Sequence, residues 1–153
     1  MTKKEHPVLF SLVQWTYGIL QNLIGVVVAL SVKIAHPGRK SERFRECRVY
    51  RWNRPGSMSL GSFLFLASYG EAEERFVLRH EYGHSLQSLI LGPLYLPVIG
   101  LPSFLRANVP AFAKNWRSGR KGYYEFYPER WANRLSGAEK AVVTRGAPDS
   151  TNL

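Results

Sequence analysis

The sequence predicts an α+β fold, and three stretches of the 153-residue chain carry that prediction. The first, Val8–Val32, contains no charged residue and is long enough for a helix of roughly 37 Å. The second, Ser57–Ser68, is short, apolar and aromatic and is closed by Tyr69-Gly70, which is typical of a strand. The third runs from about Ala72 to Leu91. It begins among acidic residues, which suit a helix N-terminus, and continues with helical spacing.

The first stretch has the length and composition of a membrane helix. Because it exceeds the roughly 30 Å hydrocarbon core of a bilayer, we expect residues 1–35 to form an N-terminal transmembrane helix. Small and polar residues form a stripe along it, and in lipid such a stripe normally faces another helix or protein surface. A homo-oligomer formed through this helix is one way to cover the stripe. The alternative is a soluble protein in which the helix is buried and the stripe faces water. The stripe consists of Ser11, Gln14, Gly18, Gln21, Asn22 and Gly25.

The charge of the chain indicates which partners to expect. The formal net charge is +10, which is typical of proteins that meet nucleic acid, an anionic membrane surface or acidic partners. Since no nucleic-acid-binding motif is recognisable, no nucleic acid partner is expected. Many basic residues lie between His36 and Pro55, directly after the predicted membrane helix. That position indicates the cytoplasmic side of a membrane and suits anionic lipid headgroups, the alternative being a solvated surface.

The middle of the chain predicts a small sheet, and a later proline marks another helix. Arg48–Trp52 alternates loosely and is typical of a short strand. Ser57–Ser68 is interpreted as one strand with a bulge at Gly61. A further helix is expected to begin near Pro128, because proline suits the first helical turn.

The stretch 92–107 is apolar but interrupted by three prolines and two glycines, and it has no charge before Arg106. Interior prolines remove hydrogen bonds and clash with the preceding turn, so a straight spanning helix is not expected. We predict a re-entrant or broken segment sheltered by the first helix, the soluble alternative being an apolar loop packed on the core. Residues 138–153 are small and polar and are expected to form a flexible tail.

The residues that carry chemistry lie on the third stretch. His80 and His84 are four residues apart, so on a helix both imidazoles reach one metal ion. Glu81 lies roughly 100° round from His80, near enough to hold a water without being a ligand. This is the H-E-x-x-H arrangement of zinc metallopeptidases, whose catalytic zinc takes three protein ligands. Because the only aspartate is Asp149, in the predicted tail, a carboxylate as third ligand is expected to be a glutamate: Glu125, Glu129 or Glu139.

The chain resembles the gluzincins, a group of zincin metallopeptidases, in the residues that follow. Glu129 begins Glu-x-x-Ala-Asn, which is similar to the gluzincin pattern of a ligand glutamate followed four residues later by an aspartate bonded to a zinc-bound histidine. Here that position is Asn133, whose amide oxygen still accepts an imidazole N–H. The histidine that extends the motif in metzincins is absent, because position 90 is Ile90. The resemblance implies a minimal zincin-like domain over 36–137, with one Zn²⁺ per chain held by His80, His84 and Glu129.

The roles expected from this resemblance are those of peptide hydrolysis. Glu81 takes a proton from water and delivers it to the leaving amine. A further donor polarises the substrate carbonyl, and Tyr123, Tyr124 and Tyr127 remain open for that role. Gln87 is expected to be a core residue or a hydrogen-bond partner near the metal.

The wider pattern between Ser59 and Asn133 resembles a group of small bacterial membrane-associated proteins. It comprises His-Glu-Tyr-Gly-His-x-x-Gln, Leu-Gly-Pro-x-Tyr-Leu, Gly-x-Pro-Ser and Tyr-Tyr-x-x-Tyr-x-Glu-x-Trp-Ala. The resemblance implies a membrane-associated zinc metallopeptidase of the bacterial inner membrane; it does not identify the substrate, which is expected to be a peptide or protein. The basic residues after the first helix indicate a site on the cytoplasmic side. The alternative is a non-enzymatic membrane protein with a structural or degenerate zinc site and a basic arm for lipids or a partner.

Overall fold

The fold is a mixed α+β arrangement of five helices and a four-stranded sheet within residues 6–109 and 126–138, the part of the chain that the computed structural model describes. The predicted α+β class is confirmed. The helices are α1 (Pro7–Thr16), α2 (Ile19–Ala35), α3 (Glu71–Leu91), α4 (Leu101–Asn108) and α5 (Tyr127–Ser136). The strands are β1 (Glu42–Phe44), β2 (Cys47–Arg51), β3 (Met58–Leu60) and β4 (Phe63–Leu66).

The prediction of one long N-terminal helix was wrong, because two helices, α1 and α2, occupy that stretch and are bent by 96°. The break falls at Tyr17-Gly18. A Cβ on Gly18 would lie 2.4 Å from the side-chain oxygen of Gln14, so the sharp bend depends on a residue without a side chain. Across the described residues, no single helix has the length and apolar character needed to cross a membrane. The bent pair meets that test by length and composition only.

The four strands form one sheet in the order β1-β2-β4-β3. β1 and β3 are antiparallel to their neighbours, whereas β2 and β4 are parallel. The predicted strand at Arg48–Trp52 is present as β2. The predicted single strand at Ser57–Ser68 was wrong, since β3 and β4 form a hairpin with Leu60 paired to Phe63. Gly61 adopts φ 60° in the two-residue turn between them, where the sequence had indicated a bulge.

The polar stripe of the N-terminal helices faces the protein, except at Ser11, which is exposed. The amide nitrogen of Gln14 donates to the backbone oxygen of Ser85 at 3.0 Å, and that of Gln21 donates to the hydroxyl of Ser88 at 3.1 Å. Asn22 accepts the backbone N–H of Ser62 at 2.8 Å. Helix α3 and the β3–β4 turn therefore cover the stripe within one chain. A homo-oligomer stays a prediction, but the stripe no longer gives a reason for it.

The remaining predicted elements lie close to their expected bounds. Helix α3 spans Glu71–Leu91, and α5 begins one residue before Pro128. The stretch 92–107 is broken as predicted: a 3₁₀ turn at Gly92–Leu94 and a π-helical turn at Leu96–Gly100 precede α4. Its re-entrant placement in a membrane stays a prediction. All but the first residue of the predicted tail lies outside the described residues, as do Tyr123, Tyr124, Glu125 and Glu139.

Candidate metal centre

The centre forms where α5 packs closely on α3. Gly83, inside the H-E-x-x-H motif, makes this approach possible: a Cβ there would lie 2.1 Å from the carbonyl oxygen of Ala132 on α5. The absence of a side chain lets the two backbones meet, and α5 then sets its own polar residues over the histidines. Pro128 in the first turn of α5 fixes where the helix begins. The close contact thus joins two segments that are about 50 residues apart in sequence.

Three ligand-type atoms converge at this contact. The Nε2 atom of His80 lies 2.9 Å from Oε2 of Glu129, and the Nε2 atom of His84 lies 3.1 Å from the same oxygen. The two Nε2 atoms are 3.2 Å apart. Tetrahedral zinc with bonds of roughly 2.0–2.1 Å requires ligands about 3.3 Å apart, so a small expansion of this triangle gives the geometry of a zinc site. These three residues form the group able to hold a metal ion.

The outer nitrogens of both imidazoles have buried acceptors. Nδ1 of His80 lies 2.8 Å from the amide oxygen of Asn133, and Nδ1 of His84 lies 2.7 Å from that of Gln87. The orientation of Gln87 is fixed, because its amide nitrogen donates to the carbonyl of Pro128 at 2.7 Å. Because an amide oxygen only accepts, these contacts favour the tautomer with the proton on Nδ1, which leaves Nε2 available to a metal ion. Such partners fix the tautomer and orientation of metal-binding histidines.

The resulting chemistry fits a cation. With both Nε2 atoms unprotonated, three lone-pair atoms face one another at 2.9–3.2 Å without a proton between them. Glu129 is fully buried, and a buried carboxylate needs a compensating positive charge. Burial raises the pKa of Glu129, and a positive charge at this point opposes that effect and keeps the carboxylate ionised. The carboxylate is thus the anionic member of a neutral-nitrogen, carboxylate-oxygen donor set, which suits zinc.

Glu81 sits beside this triangle without joining it. It is buried, and its Oε2 atom has no hydrogen-bond partner within the described residues. Burial raises its pKa to about 7, and the charge of Glu129 reinforces this effect. A carboxylate with one free oxygen and a pKa near neutrality is suited to accept and return a proton.

One contact at the centre was not foreseen from the sequence. The hydroxyl of Ser103, on α4, donates to Oε1 of Glu129 at 2.8 Å and leaves Oε2 for the histidines. Ser103 belongs to the Gly-x-Pro-Ser pattern, which was recognised without a role. The signal in the sequence that could have indicated this contact was Ser103 itself, a polar residue within an otherwise apolar segment.

The other predicted site residues divide into two groups. Asn133 occupies its predicted place beside His80, and Gln87 lies near the metal ligands, one of the two roles expected for it. Tyr127 does not point to the centre as a donor, since its hydroxyl donates to the carbonyl of Val98. The other two candidate carbonyl donors, Tyr123 and Tyr124, lie outside the described residues.

Comparisons with known proteins add no family assignment. The chain matches no protein-family model, no curated protein and no solved structure.

Proposed function

We propose that the protein is a membrane-associated zinc metallopeptidase of gluzincin type. The observation that carries the proposal is the convergence of one ligand atom each from His80, His84 and Glu129, next to the unpartnered carboxylate oxygen of Glu81. A purely structural metal site closes its fourth position with another protein ligand, whereas a catalytic site keeps that position open. No fourth His, Cys, Asp or Glu joins the group among the described residues.

Each residue of the site has a separate role in the proposed hydrolysis. Zinc held by the three ligands supplies Lewis acidity, which polarises a carbonyl and lowers the pKa of water toward neutrality. Glu81 accepts the proton from the attacking water and passes it to the leaving amine, a role that its raised pKa of about 7 suits. Asn133 and Gln87 hold the imidazoles in the tautomer that directs Nε2 inward. Ser103 holds the carboxylate of Glu129 in one orientation.

The sheet supports a peptide as the substrate. Among the described strands, β3 lies at the edge of the sheet, and it packs against α3, which carries the histidines. The hydroxyl of Ser85 on α3 donates to the carbonyl of Gly61 in the β3–β4 turn, which ties the edge strand to the motif helix. An edge strand offers backbone hydrogen bonds to an extended peptide.

The decisive experiment separates metal binding from turnover. Purified wild-type protein is expected to hold about one zinc per chain by elemental analysis, and Glu129→Ala is expected to lose most of it, because the only anionic ligand is removed. Glu81→Gln is expected to keep the zinc and lose peptide hydrolysis by about 100-fold or more. Peptide libraries assayed with wild type and Glu81→Gln side by side provide the measurement.

The outcomes discriminate between the proposed enzyme and its alternative. Full peptidase activity in Glu81→Gln would exclude Glu81 as the general base. One zinc in the wild type, lost in Glu129→Ala, without hydrolysis of any library would favour the non-enzymatic protein with a structural site. No zinc under metal-replete conditions would overturn the proposal.

A further inference from the structure

In the N-terminal helices, polar side chains are buried against the protein and apolar side chains face outward, which is the reverse of the pattern in soluble proteins. Gln14, Gln21 and Asn22 are completely buried against the protein. Most outward positions are apolar instead, with Val27 64% exposed on α2 and Val8 81% exposed on α1. The exposed hydroxyls of Thr16 and Ser31 donate to backbone carbonyls of their own helices. Soluble helices direct apolar side chains inward and polar ones outward, whereas a lipid-facing surface requires the opposite arrangement.

The exposed apolar surface continues beyond these two helices. The ring of Tyr17, at the bend between α1 and α2, lies against Gly92, and Gln21 donates to the carbonyl of Gly92. The broken stretch therefore begins beside the bend. Its outward side chains are also apolar. They include Leu94, Leu101 and Phe104. Neither Pro7–Val32 nor Tyr82–Leu105 contains an Asp, Glu, Lys or Arg.

The packing of α2 determines how this surface meets a bilayer. Asn22 bonds the β3–β4 turn near one end of the helix, and a Cβ on Gly25 would lie 2.6 Å from the ring of Phe63. Ala29 and Val32 near the other end belong to a cluster with sheet residues. The helix thus lies along the sheet over most of its length. The sheet exposes arginines, among them Arg43, Arg45 and Arg48. If α2 stood upright in the membrane, the sheet would enter the hydrocarbon with it, and burying these charges there costs free energy.

We infer that α1, α2 and the stretch 90–105 form one membrane face that inserts into a single leaflet, with α2 parallel to the bilayer plane and the catalytic domain above the headgroups. The occupant of this face is the acyl region of an anionic bilayer. Lys33, Arg39 and Lys40 are exposed at the C-terminal end of α2, where they meet the phosphates at the rim of the face. The inference deepens the membrane association in the proposed function and is independent of the zinc chemistry.

Charged substitutions on the face test this inference. The double variant Val27→Glu with Ile34→Glu alters two exposed positions, so folding is expected to be unaffected, as circular dichroism checks. Binding to vesicles of phosphatidylglycerol and phosphatidylcholine, measured by flotation, is expected to fall by at least about tenfold, because each carboxylate must leave water. Leu101→Glu, on the broken stretch, is an independent second variant with the same expected loss. The matched control is Ser68→Glu with Arg75→Gln, which changes the net charge equally at exposed positions away from the face.

Side-specific labelling tests the single leaflet. His6→Cys and Ser41→Cys flank the two helices, and Cys47 is completely buried and does not react in the folded protein. An impermeant maleimide is expected to label both new cysteines from the same side of membrane vesicles prepared in both orientations. Labelling from opposite sides would show a span and overturn the inference.

Two further results would also contradict the inference. Wild type that fails to float with these vesicles, or face variants that float as well as wild type, would show that lipid does not occupy the face. A soluble wild-type dimer that the same variants dissociate would assign the face to a second copy of the chain. A failure of zinc binding would leave these measurements unchanged, so the two proposals fail separately.

Discussion

Two polar faces of helix α3, about 100° apart around its axis, show how the protein separates structure from chemistry. On one, Ser85 and Ser88 meet Gln14 and Gln21 in contacts that each join one donor to one acceptor. On the other, His80 and His84 meet Glu129 in contacts that bring acceptors together. Both faces are buried. Matched contacts stabilise the fold by themselves, whereas converging acceptors require a cation, and this difference distinguishes a packing face from a site.

On the face of α3 that carries Ser85 and Ser88, which we call the structural face, not every buried polar atom has a hydrogen-bond partner. The side-chain oxygen of Gln21 and the side-chain nitrogen of Asn22 have no hydrogen-bond partner among the described residues.

The largest effect is expected where one residue supports both helices of the site. Gly83→Ala places a methyl group 2.1 Å from the backbone carbonyl of Ala132, so α5 must move away from α3. We expect a loss of about 1–3 kcal/mol in the free energy of unfolding, as for overpacking in general. Zinc affinity should fall by about 100-fold, because Glu129 and Asn133 move together. Chemical denaturation and competition with a chelator measure the two quantities.

A matched control for Gly83→Ala is Gly38→Ala, because nothing lies within 4 Å of a Cβ at Gly38. Its stability should remain within about 0.5 kcal/mol of wild type. Equal zinc affinity in Gly83→Ala and wild type would mean that the close contact does not position the ligands.

The next effect concerns only the face of α3 that carries His80 and His84. Asn133→Leu leaves Nδ1 of His80 without its acceptor, and zinc affinity is expected to fall about 10–100-fold. Asn133→Asp restores an acceptor and should bind zinc at least as tightly as wild type, since a carboxylate raises the basicity of the imidazole more than an amide does. Titration with a competing chelator measures both variants. A Leu variant that binds zinc like wild type would contradict the assigned tautomer.

The corresponding change on the structural face should leave the metal unaffected. Gln14→Leu removes both contacts of that amide with Ser85 and Ser88 while keeping a similar volume. We expect about 1–3 kcal/mol of destabilisation with unchanged zinc per chain, because buried groups lose their partners. Thr16→Ala, at an exposed position, is the control and should change stability little. Loss of zinc in Gln14→Leu under conditions where the protein is folded would show that the two faces are coupled.

The smallest effect is expected at Ser103, which links the apolar stretch to the metal ligand. Ser103→Ala should lower zinc affinity by about tenfold or less, since water can replace the hydroxyl at this half-buried position. Ser103→Thr keeps the hydroxyl and is expected to restore wild-type affinity. Chelator competition with both variants is the measurement, and equal loss in Ala and Thr would point to a packing role instead.

The contrast also explains where sequence reasoning succeeded. The spacing of His80 and His84 on one helical face is local, so it was predictable. Among three downstream glutamates, Glu129 was preferred because Glu-x-x-Ala-Asn resembles the gluzincin pattern. The stripe that contains Gln14 was predictable as well. Its partner was not, because nothing local distinguishes a serine of α3 from the surface of a second copy of the chain. The bend at Gly18 was also missed because it depends on packing. A glycine inside an apolar run breaks a helix only when a neighbouring side chain occupies the space that a side chain at the glycine would fill.

The sequence by itself determined the elements of periodic pattern and the chemical identity of the metal-binding group. Histidines one helical turn apart reach the same point in any α-helix, whatever the rest of the fold. Only the tertiary structure placed Glu129 over them, because that placement depends on the close approach of Gly83 to Ala132. It also decided that the polar stripe turns inward and the apolar side outward. Such choices are set by packing between segments distant in sequence, and a local pattern permits either outcome.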